Sequence, residues 1–113
     1  MKLNTGFGLR FCLVAACLLV SSLAFQAAVP QADGEAVFKK NCTMCHGDDG
    51  KGYSALKTPN FTDPKWQSSK KDTEIREVIR NGKKGTAMVA FSEKLKDEEI
   101  SAVVAYIRSL KKK

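Results

Sequence analysis

The chain has 113 residues, which leaves room for one domain. It carries 19 Lys and Arg against 12 Asp and Glu, but its one Trp and two Tyr show no interleaved basic and aromatic pattern, so nucleic-acid binding is not expected. A domain this small buries a limited core and usually needs a disulfide, a metal or a covalent cofactor for stability.

Residues 1–28 have the pattern of a secretory signal peptide. Lys2 and Arg10 are basic, residues 11–20 are wholly apolar, and small residues follow. Ser22 and Ala24 suit the peptidase, and residues 26–28 offer a weaker site, so cleavage is expected between residues 24 and 28. Residues 29–113 then form one exported domain with a charge of about +5, and the periplasm is its expected location.

Two other interpretations of this segment place the domain at a membrane. The apolar stretch 11–25 is shorter than the roughly 20 residues that span a bilayer, but it can act as a tilted anchor if cleavage fails. Cys17, after the small residues 15 and 16, resembles the lipidated cysteine of a bacterial lipoprotein signal. Either interpretation anchors the domain to the outer face of the cytoplasmic membrane.

Three helices are predicted in the exported domain, and no strand. Asp33 is expected to cap the first, which reaches about Asn41. Asp72 is expected to cap the second, which ends before Gly82. The third begins near Asp97 and has the strongest apolar stripe, formed by Ile100, Val103, Val104, Ile107 and Leu110.

A long connection separates the first two helices. About 25 residues between His46 and Asp72 are rich in Gly, Pro, Asp, Asn and Ser. A loop of this length is unusual in a compact domain unless it packs against something other than protein. A large flat cofactor would serve, so the chain is predicted to be an all-α domain with long loops around such a group.

The residues Cys42, Cys45 and His46 form a C-x-x-C-H motif, the attachment pattern of c-type haem. On a helical turn both cysteines project from one side, where they can form thioethers with two vinyl groups of one porphyrin. His46 lies four residues after Cys42 and shares that side, so its imidazole can bind the iron. The motif therefore predicts one covalently bound haem c.

Other uses of a C-x-x-C pair fit less well. A thioredoxin-like redox pair requires a βαβ context, and no strand is predicted. A zinc site requires two further Cys or His, whereas residues 29–113 hold no third cysteine and a single histidine. A plain disulfide between Cys42 and Cys45 stays open as an alternative.

The second axial ligand is predicted by elimination to be Met88. No second histidine exists, Met1 is lost with the signal, and Met44 lies inside the attachment turn. Met88 follows His46 by 42 residues and lies in a glycine-containing segment that can cover the opposite haem face. Iron with both axial positions filled exchanges electrons but binds no substrate, which favours an electron carrier over an enzyme.

These residues resemble those of the class I cytochrome c family, over essentially all of residues 29–113. Gly34 and Phe38 are similar to the family's small and aromatic positions on the first helix, and Val103 and Tyr106 to their partners on the last. Met88 with Phe91 resembles the methionine loop. Two departures are Val89, where a proline often follows the methionine, and Lys96, where a serine often begins the last helix; the latter shifts the expected cap to Asp97.

The resemblance also implies two residues that support the haem. Pro59 is similar to the proline whose carbonyl accepts the Nδ1 hydrogen of the axial histidine, a bond that orients the ring. Trp66 is similar in position to the tryptophan that donates to a haem propionate, although an ordinary core aromatic explains it equally well.

The charge predicts redox partners with acidic docking faces, for a domain expected to be a monomer. The cations proposed to surround the haem edge are Lys51, Lys57, Lys83, Lys84, Lys94 and Lys96, and the tail 111–113 can touch anionic lipid. The main hypothesis is a single-electron carrier between exported or membrane-bound partners. The alternatives are a membrane-tethered haem subunit of a larger dehydrogenase or oxidase and, third, a five-coordinate haem enzyme or gas sensor.

Overall fold

The computed structural model describes residues 31–111, which form helices and loops without a strand. The helices in chain order are α1 (Gly34–Asn41), α2 (Thr43–His46), α3 (Pro64–Ser69), α4 (Asp72–Asn81) and α5 (Asp97–Ser109), with a 3₁₀ turn at Ser54–Leu56. The all-α prediction and its three main helices, α1, α4 and α5, are confirmed. The predicted signal peptide, Cys17 and the last two tail residues lie outside the described residues.

The start of α1 is capped by a side chain as predicted, whereas α4 and α5 begin differently. Asp33 Oδ1 accepts hydrogen bonds from the backbone N–H groups of Glu35 and Ala36, at 3.0 and 3.2 Å. The predicted caps Asp72 and Asp97 are wrong by one position, because each is the first helical residue and the preceding lysine is the cap. Their carboxylates still lie at the positive end of a helix dipole.

The lysine caps are supported by a glutamate three residues later. Glu74 Oε2 accepts from the Lys71 backbone N–H at 2.7 Å, and Glu99 Oε2 accepts from that of Lys96 at 2.8 Å. This is the glutamate half of a capping box. It satisfies the cap N–H without a serine, so the departure at Lys96 leaves the start of α5 intact.

The crossing of α1 and α5 organises the core. A Cβ on Gly34 would lie 2.0 Å from the Ala102 carbonyl oxygen, so only glycine allows the two backbones to approach this closely. One turn later the rings of Phe38 and Tyr106 lie 5.2 Å apart, and Val103 is fully buried. The pairing implied by the resemblance is confirmed. The buried apolar cluster comprises Phe38, Phe61, Ile75, Ile79, Leu95, Ile100, Val103, Val104 and Ile107.

The connection between His46 and Asp72 is more ordered than predicted, since it contains the 3₁₀ turn and α3. Asp63 Oδ1 accepts from the Lys65 N–H at 2.9 Å, and Pro64 occupies the first turn of α3. An aspartate followed by proline is a helix-start signal that could have predicted α3. No helix among residues 31–111 has the length and apolar content to cross a membrane.

Candidate haem site

A cavity of about 370 Å³ lies between the helices and the loops that follow α2 and α4. Its size is in the range of small-molecule and cofactor pockets. The described residues place four predicted ligands on its wall, namely Cys42, Cys45, His46 and Met88. The apolar part of the wall includes Phe38, Phe61, Ile75, Val78, Ile79, Phe91, Val103 and Ile107.

The turn through α2 presents the C-x-x-C-H side chains to this cavity. The carbonyl oxygen of Cys42 accepts from the backbone N–H groups of Cys45 and His46, at 3.2 and 2.9 Å. This closes one helical turn and puts the three side chains on one side. Both cysteines are free thiols, whereas Met44 is 89% exposed and absent from the cavity wall.

Burial suppresses ionisation at the attachment site. It raises the pKa of Cys42 to about 11, with a smaller contribution from Cys45, so the thiol stays protonated at neutral pH. A thioredoxin-like redox pair requires a βαβ context, and residues 31–111 contain no strand. Burial also lowers the pKa of His46, which keeps the imidazole neutral with a lone pair free for a metal.

The plane of the His46 ring is set by Phe61. The two rings stack with centroids 4.7 Å apart and planes 22° from parallel. Within residues 31–111 the buried Nδ1 of His46 has no hydrogen-bond partner, so the bond to the Pro59 carbonyl is not formed in this structure. Pro59 does line the cavity, and that bond remains a prediction for the haem-bound protein.

Backbone hydrogen bonds fold the segment after α4 over the cavity. Gly82 ends α4 with a φ of 72°, and a Cβ there would lie 2.9 Å from the Met88 carbonyl oxygen. The Lys83 N–H donates to that same oxygen at 3.0 Å, and the Met88 N–H donates to Thr86 Oγ1 at 3.2 Å. The Phe91 N–H then bonds the Ile79 carbonyl at 3.0 Å. These contacts bring Met88 to the cavity that holds His46.

Trp66 and several lysines complete the wall. Trp66 packs against Phe61 with ring centroids 4.8 Å apart. Of the six lysines predicted to surround the haem edge, Lys57 and Lys83 line the cavity, and the sequence analysis missed Lys70. Lys51 is 2.6 Å from Asp49 in an ion pair, and Lys84, Lys94 and Lys96 are exposed away from the wall.

The wall suits haem c better than a bare metal ion. It is largely apolar, as a porphyrin requires, and it presents two thiols, an imidazole with an unpaired buried nitrogen, and a thioether. The described residues include no group of three His, Cys, Asp or Glu side chains able to bind a metal ion. The fold and this wall together define a c-type cytochrome.

A family comparison identifies the kind of cytochrome. Residues 29–107 match the model of the family described as cytochrome c oxidase, cbb3-type, subunit III, and the chain belongs to this family of c-type cytochrome domains. The domain carries covalently bound haem c with iron, the electron-transfer cofactor of c-type cytochromes.

Curated relatives include subunits of cbb3-type cytochrome c oxidases. Subunit FixP of Bradyrhizobium diazoefficiens is 35% identical over 91 residues, which are 80% of this chain and 31% of the relative. Subunit CcoP of Rhodobacter capsulatus is 34% identical over 83 residues, 68% of this chain and 28% of the relative. The chain thus spans about a third of the length of these relatives.

Solved structures of c-type cytochromes are also similar. The KustC0563 c-type cytochrome has a TM-score of 0.66 at 36% identity, and the match covers 71% of this chain and 99% of that one. Cytochrome cL from Hyphomicrobium denitrificans has a TM-score of 0.60 at 26% identity, covering 71% and 46%.

Proposed function

We propose that this domain holds one haem c between His46 and Met88 and passes single electrons within a terminal oxidase at the outer face of the membrane. The observation that carries the proposal is that Met88, 42 residues after His46, lines the same apolar cavity as Cys42, Cys45 and His46. Bound haem supplies a one-electron ferrous/ferric couple. The chain contributes attachment, axial ligands and an environment that excludes water.

Each ligand has a defined role in this proposal. The thiols of Cys42 and Cys45 would attach the haem covalently, which would prevent loss of the cofactor. The neutral imidazole of His46 and the thioether of Met88 would hold the iron, and a soft thioether would favour the ferrous state and raise the potential. With both residues bound, the iron would have no place for a gas or a substrate.

Two neighbours of these ligands have supporting roles. The Pro59 carbonyl is proposed to accept the Nδ1 hydrogen of His46, and the indole N–H of Trp66 to donate to a haem propionate. Both residues lie on the cavity wall, which supports these assignments. Lys70 follows Trp66 by one helical turn and also lines the cavity, so it would supply a cation that a haem propionate can pair with.

The ligation is tested by a matched pair of methionine variants. Met88→Ala is expected to remove the weak far-red sulfur-to-iron absorption of the ferric protein and to lower the reduction potential by an amount on the order of 0.1 V. Met44→Ala is the control, since Met44 is 89% exposed and does not line the cavity. A Met88→Ala spectrum identical to that of the parent would exclude Met88 as ligand, and ready carbon monoxide binding by the ferrous parent would indicate the five-coordinate alternative.

Residence in an oxidase is supported by the similarity to FixP and CcoP, which are oxidase subunits. The second candidate is a freely diffusing carrier released by cleavage between residues 24 and 28. It is supported by the match to almost the whole length of the KustC0563 c-type cytochrome chain, which is about the size of this domain. The two candidates share the haem site and differ in how the domain is held.

Cell fractionation separates these candidates. For the tethered subunit, covalent haem stays with salt-washed membranes and leaves in detergent together with a larger oxidase assembly. The intact mass then gives either the uncleaved segment 1–28 or a lipidated Cys17. Soluble haem protein whose N-terminus lies between residues 24 and 28 would instead identify the diffusing carrier and would contradict the tethered proposal.

The cavity mouth is the proposed docking surface for an acidic partner. Leu56 and Val89 are 49% and 60% exposed there, and Lys57 and Lys83 stand beside them on the wall. Apolar contact at the centre with cations around it is the usual arrangement of an electrostatically steered interface. Electrons would then cross where protein covers the cofactor least.

The adjacent residues Lys83 and Lys84 allow a matched test of docking. Lys83→Glu is expected to lower the second-order rate of electron transfer with an acidic partner about three- to tenfold at low salt, and to flatten its salt dependence. Lys84→Glu makes the same charge change away from the cavity wall and is expected to have a clearly smaller effect. Equal effects from both variants would mean that net charge, rather than this mouth, governs association. The measurement is stopped-flow reduction over a range of salt concentrations.

A further inference from the structure

A buried glutamine connects three elements behind the cavity. Gln67 on α3 is only 6% exposed. Its Nε2 group donates to the carbonyl oxygens of Phe61 and Ile107, both at 2.7 Å, while its Oε1 accepts from Arg108 Nη1 at 2.9 Å. Both amide hydrogens and the amide oxygen are therefore used, as a buried polar group requires.

Arg108 holds this amide in one orientation. Besides Oε1, its Nη1 donates to the Gln67 carbonyl oxygen at 2.6 Å, and its Nε donates to Asp72 Oδ1 at 2.7 Å. Its Nη2 donates to the Lys70 carbonyl oxygen. The guanidinium thus joins the end of α3 and the start of α4 to α5, and it leaves the Nε2 side of Gln67 facing the two carbonyls.

Phe61 links the cluster to the axial histidine. Its carbonyl is held by Gln67, and its ring is the one that stacks on His46 at 4.7 Å. This stacking restrains the plane of the imidazole, and in the haem-bound protein it would act together with the proposed bond from Nδ1 of His46 to the Pro59 carbonyl. Ile107, the other carbonyl bound by Gln67, contributes its side chain to the cavity wall.

We infer that Gln67, held by Arg108, is a positioning residue that fixes Phe61 against His46 and so tunes the reduction potential of the haem. The inference rests on the proposed role of His46 as an axial ligand. An apolar side chain of similar length would fill the same space, but it would leave the Phe61 carbonyl unpaired and the Ile107 carbonyl with only the longer bond from the Leu110 N–H at 3.3 Å. The amide therefore fixes the loop that carries Phe61 in addition to packing in the core.

The reduction potential of the haem is expected to depend on how much water reaches the His46 side of the site. Without the bond to Gln67, the Phe61 backbone is held by its N–H bond to the Gly50 carbonyl at 2.8 Å but not at its own carbonyl, so its ring is expected to shift and to admit water to the His46 side of the site. A wetter environment favours the ferric form, which carries one more positive charge, and the potential falls. A purely structural glutamine would lower stability without moving the potential.

The test uses the haem-loaded protein with ¹⁵N-labelled histidine. Because the chain has a single histidine, every such resonance reports on His46. Gln67→Met removes all the side-chain hydrogen bonds, and Gln67→Glu keeps an acceptor for Arg108 but loses the donors to the two carbonyls. Arg108→Lys retains the positive charge but replaces the planar guanidinium, whose three nitrogens all donate here, by a single ammonium group. Val104→Ala is the control, because Val104 is buried on α5 and does not line the cavity.

Both Gln67 variants are expected to shift the equilibrium with a fixed redox mediator about threefold toward the ferric form, which is ~28 mV for a one-electron couple. They are also expected to displace the His46 resonances. Arg108→Lys is expected to act in the same direction with a smaller effect, and it decides the question if the Gln67 variants do not fold. Val104→Ala is expected to lose stability with an unchanged potential.

Parent-like potentials and His46 resonances in the variants that fold would overturn the inference and leave the proposed function intact. A shift in Gln67→Met without one in Gln67→Glu would also overturn it, because the effect would then pass through Arg108 instead of Phe61. Failure of the parent protein to bind haem would contradict the proposed function itself.

Discussion

Replacing both Cys42 and Cys45 by alanine is expected to yield a chain without covalent haem that does not reach a stable fold. The cavity of about 370 Å³ would lose its attached occupant, and at about 24 cal/mol per Å³ an empty cavity of that size costs roughly 9 kcal/mol. This is an upper bound because the cavity opens to solvent, but it is comparable to the about 5–15 kcal/mol that stabilises a typical domain. Folding is therefore expected to depend on attachment.

The intact mass and the circular dichroism of the purified double variant provide the measurement. Met44→Ala, inside the same motif, preserves both thiols and His46 and is expected to retain haem and helix content, since Met44 is 89% exposed. A colourless double variant with the thermal unfolding of the parent would show that the core is sufficient alone. Covalent haem in that variant would refute the attachment assignment.

Substituting Gly34 by alanine is expected to destabilise the haem-loaded protein by about 3 kcal/mol or more, the upper range for overpacking. The new Cβ would stand 2.0 Å from the Ala102 carbonyl oxygen and 3.1 Å from Tyr106 Cβ. A backbone atom cannot rotate away, so α1 and α5 must separate. That separation also disturbs Phe38 and Val103, which line the cavity. Denaturant unfolding followed by haem absorbance measures the loss.

Gly85 provides a matched glycine control. A Cβ there meets no atom within 4 Å, although its φ of 77° makes alanine strained by about 1–2 kcal/mol. The cost at Gly34 is expected to exceed that at Gly85 and to include a changed haem spectrum. If Gly34→Ala is as stable as the parent, the close crossing of α1 and α5 does not describe the folded protein.

The local parts of the site were predictable because their geometry depends on neighbours in sequence. Cys42, Cys45 and His46 share one helical turn, so their spacing alone puts them on one side. The caps of α4 and α5 were misplaced by one residue because aspartate is a preferred N-cap residue and lysine is not. The sign of the earlier start is the glutamate three residues after each lysine, which accepts from the lysine N–H.

The parts of the site that come from separate segments of the sequence could be predicted only in part. Met88 was named by elimination, and the hydrogen bonds between its loop and the end of α4 bring it to the cavity. The burial of Gln67 could not be predicted, because a glutamine in a polar stretch of sequence is expected to be exposed. Its partner Arg108 lies 41 residues later in the chain. Which lysines line the cavity also depends on how the loops fold. The structure places Lys57, Lys70 and Lys83 there.

The sequence by itself determined the class of protein, the haem attachment turn and the three main helices, because these depend on short-range spacing and on which residue types exist at all. The tertiary structure decided which side chains line the cavity, how Phe61 orients His46 and why Gly34 must be glycine. Those features arise where segments tens of residues apart meet, and contacts at such separation are governed by packing and hydrogen bonding across the whole core rather than by any local pattern.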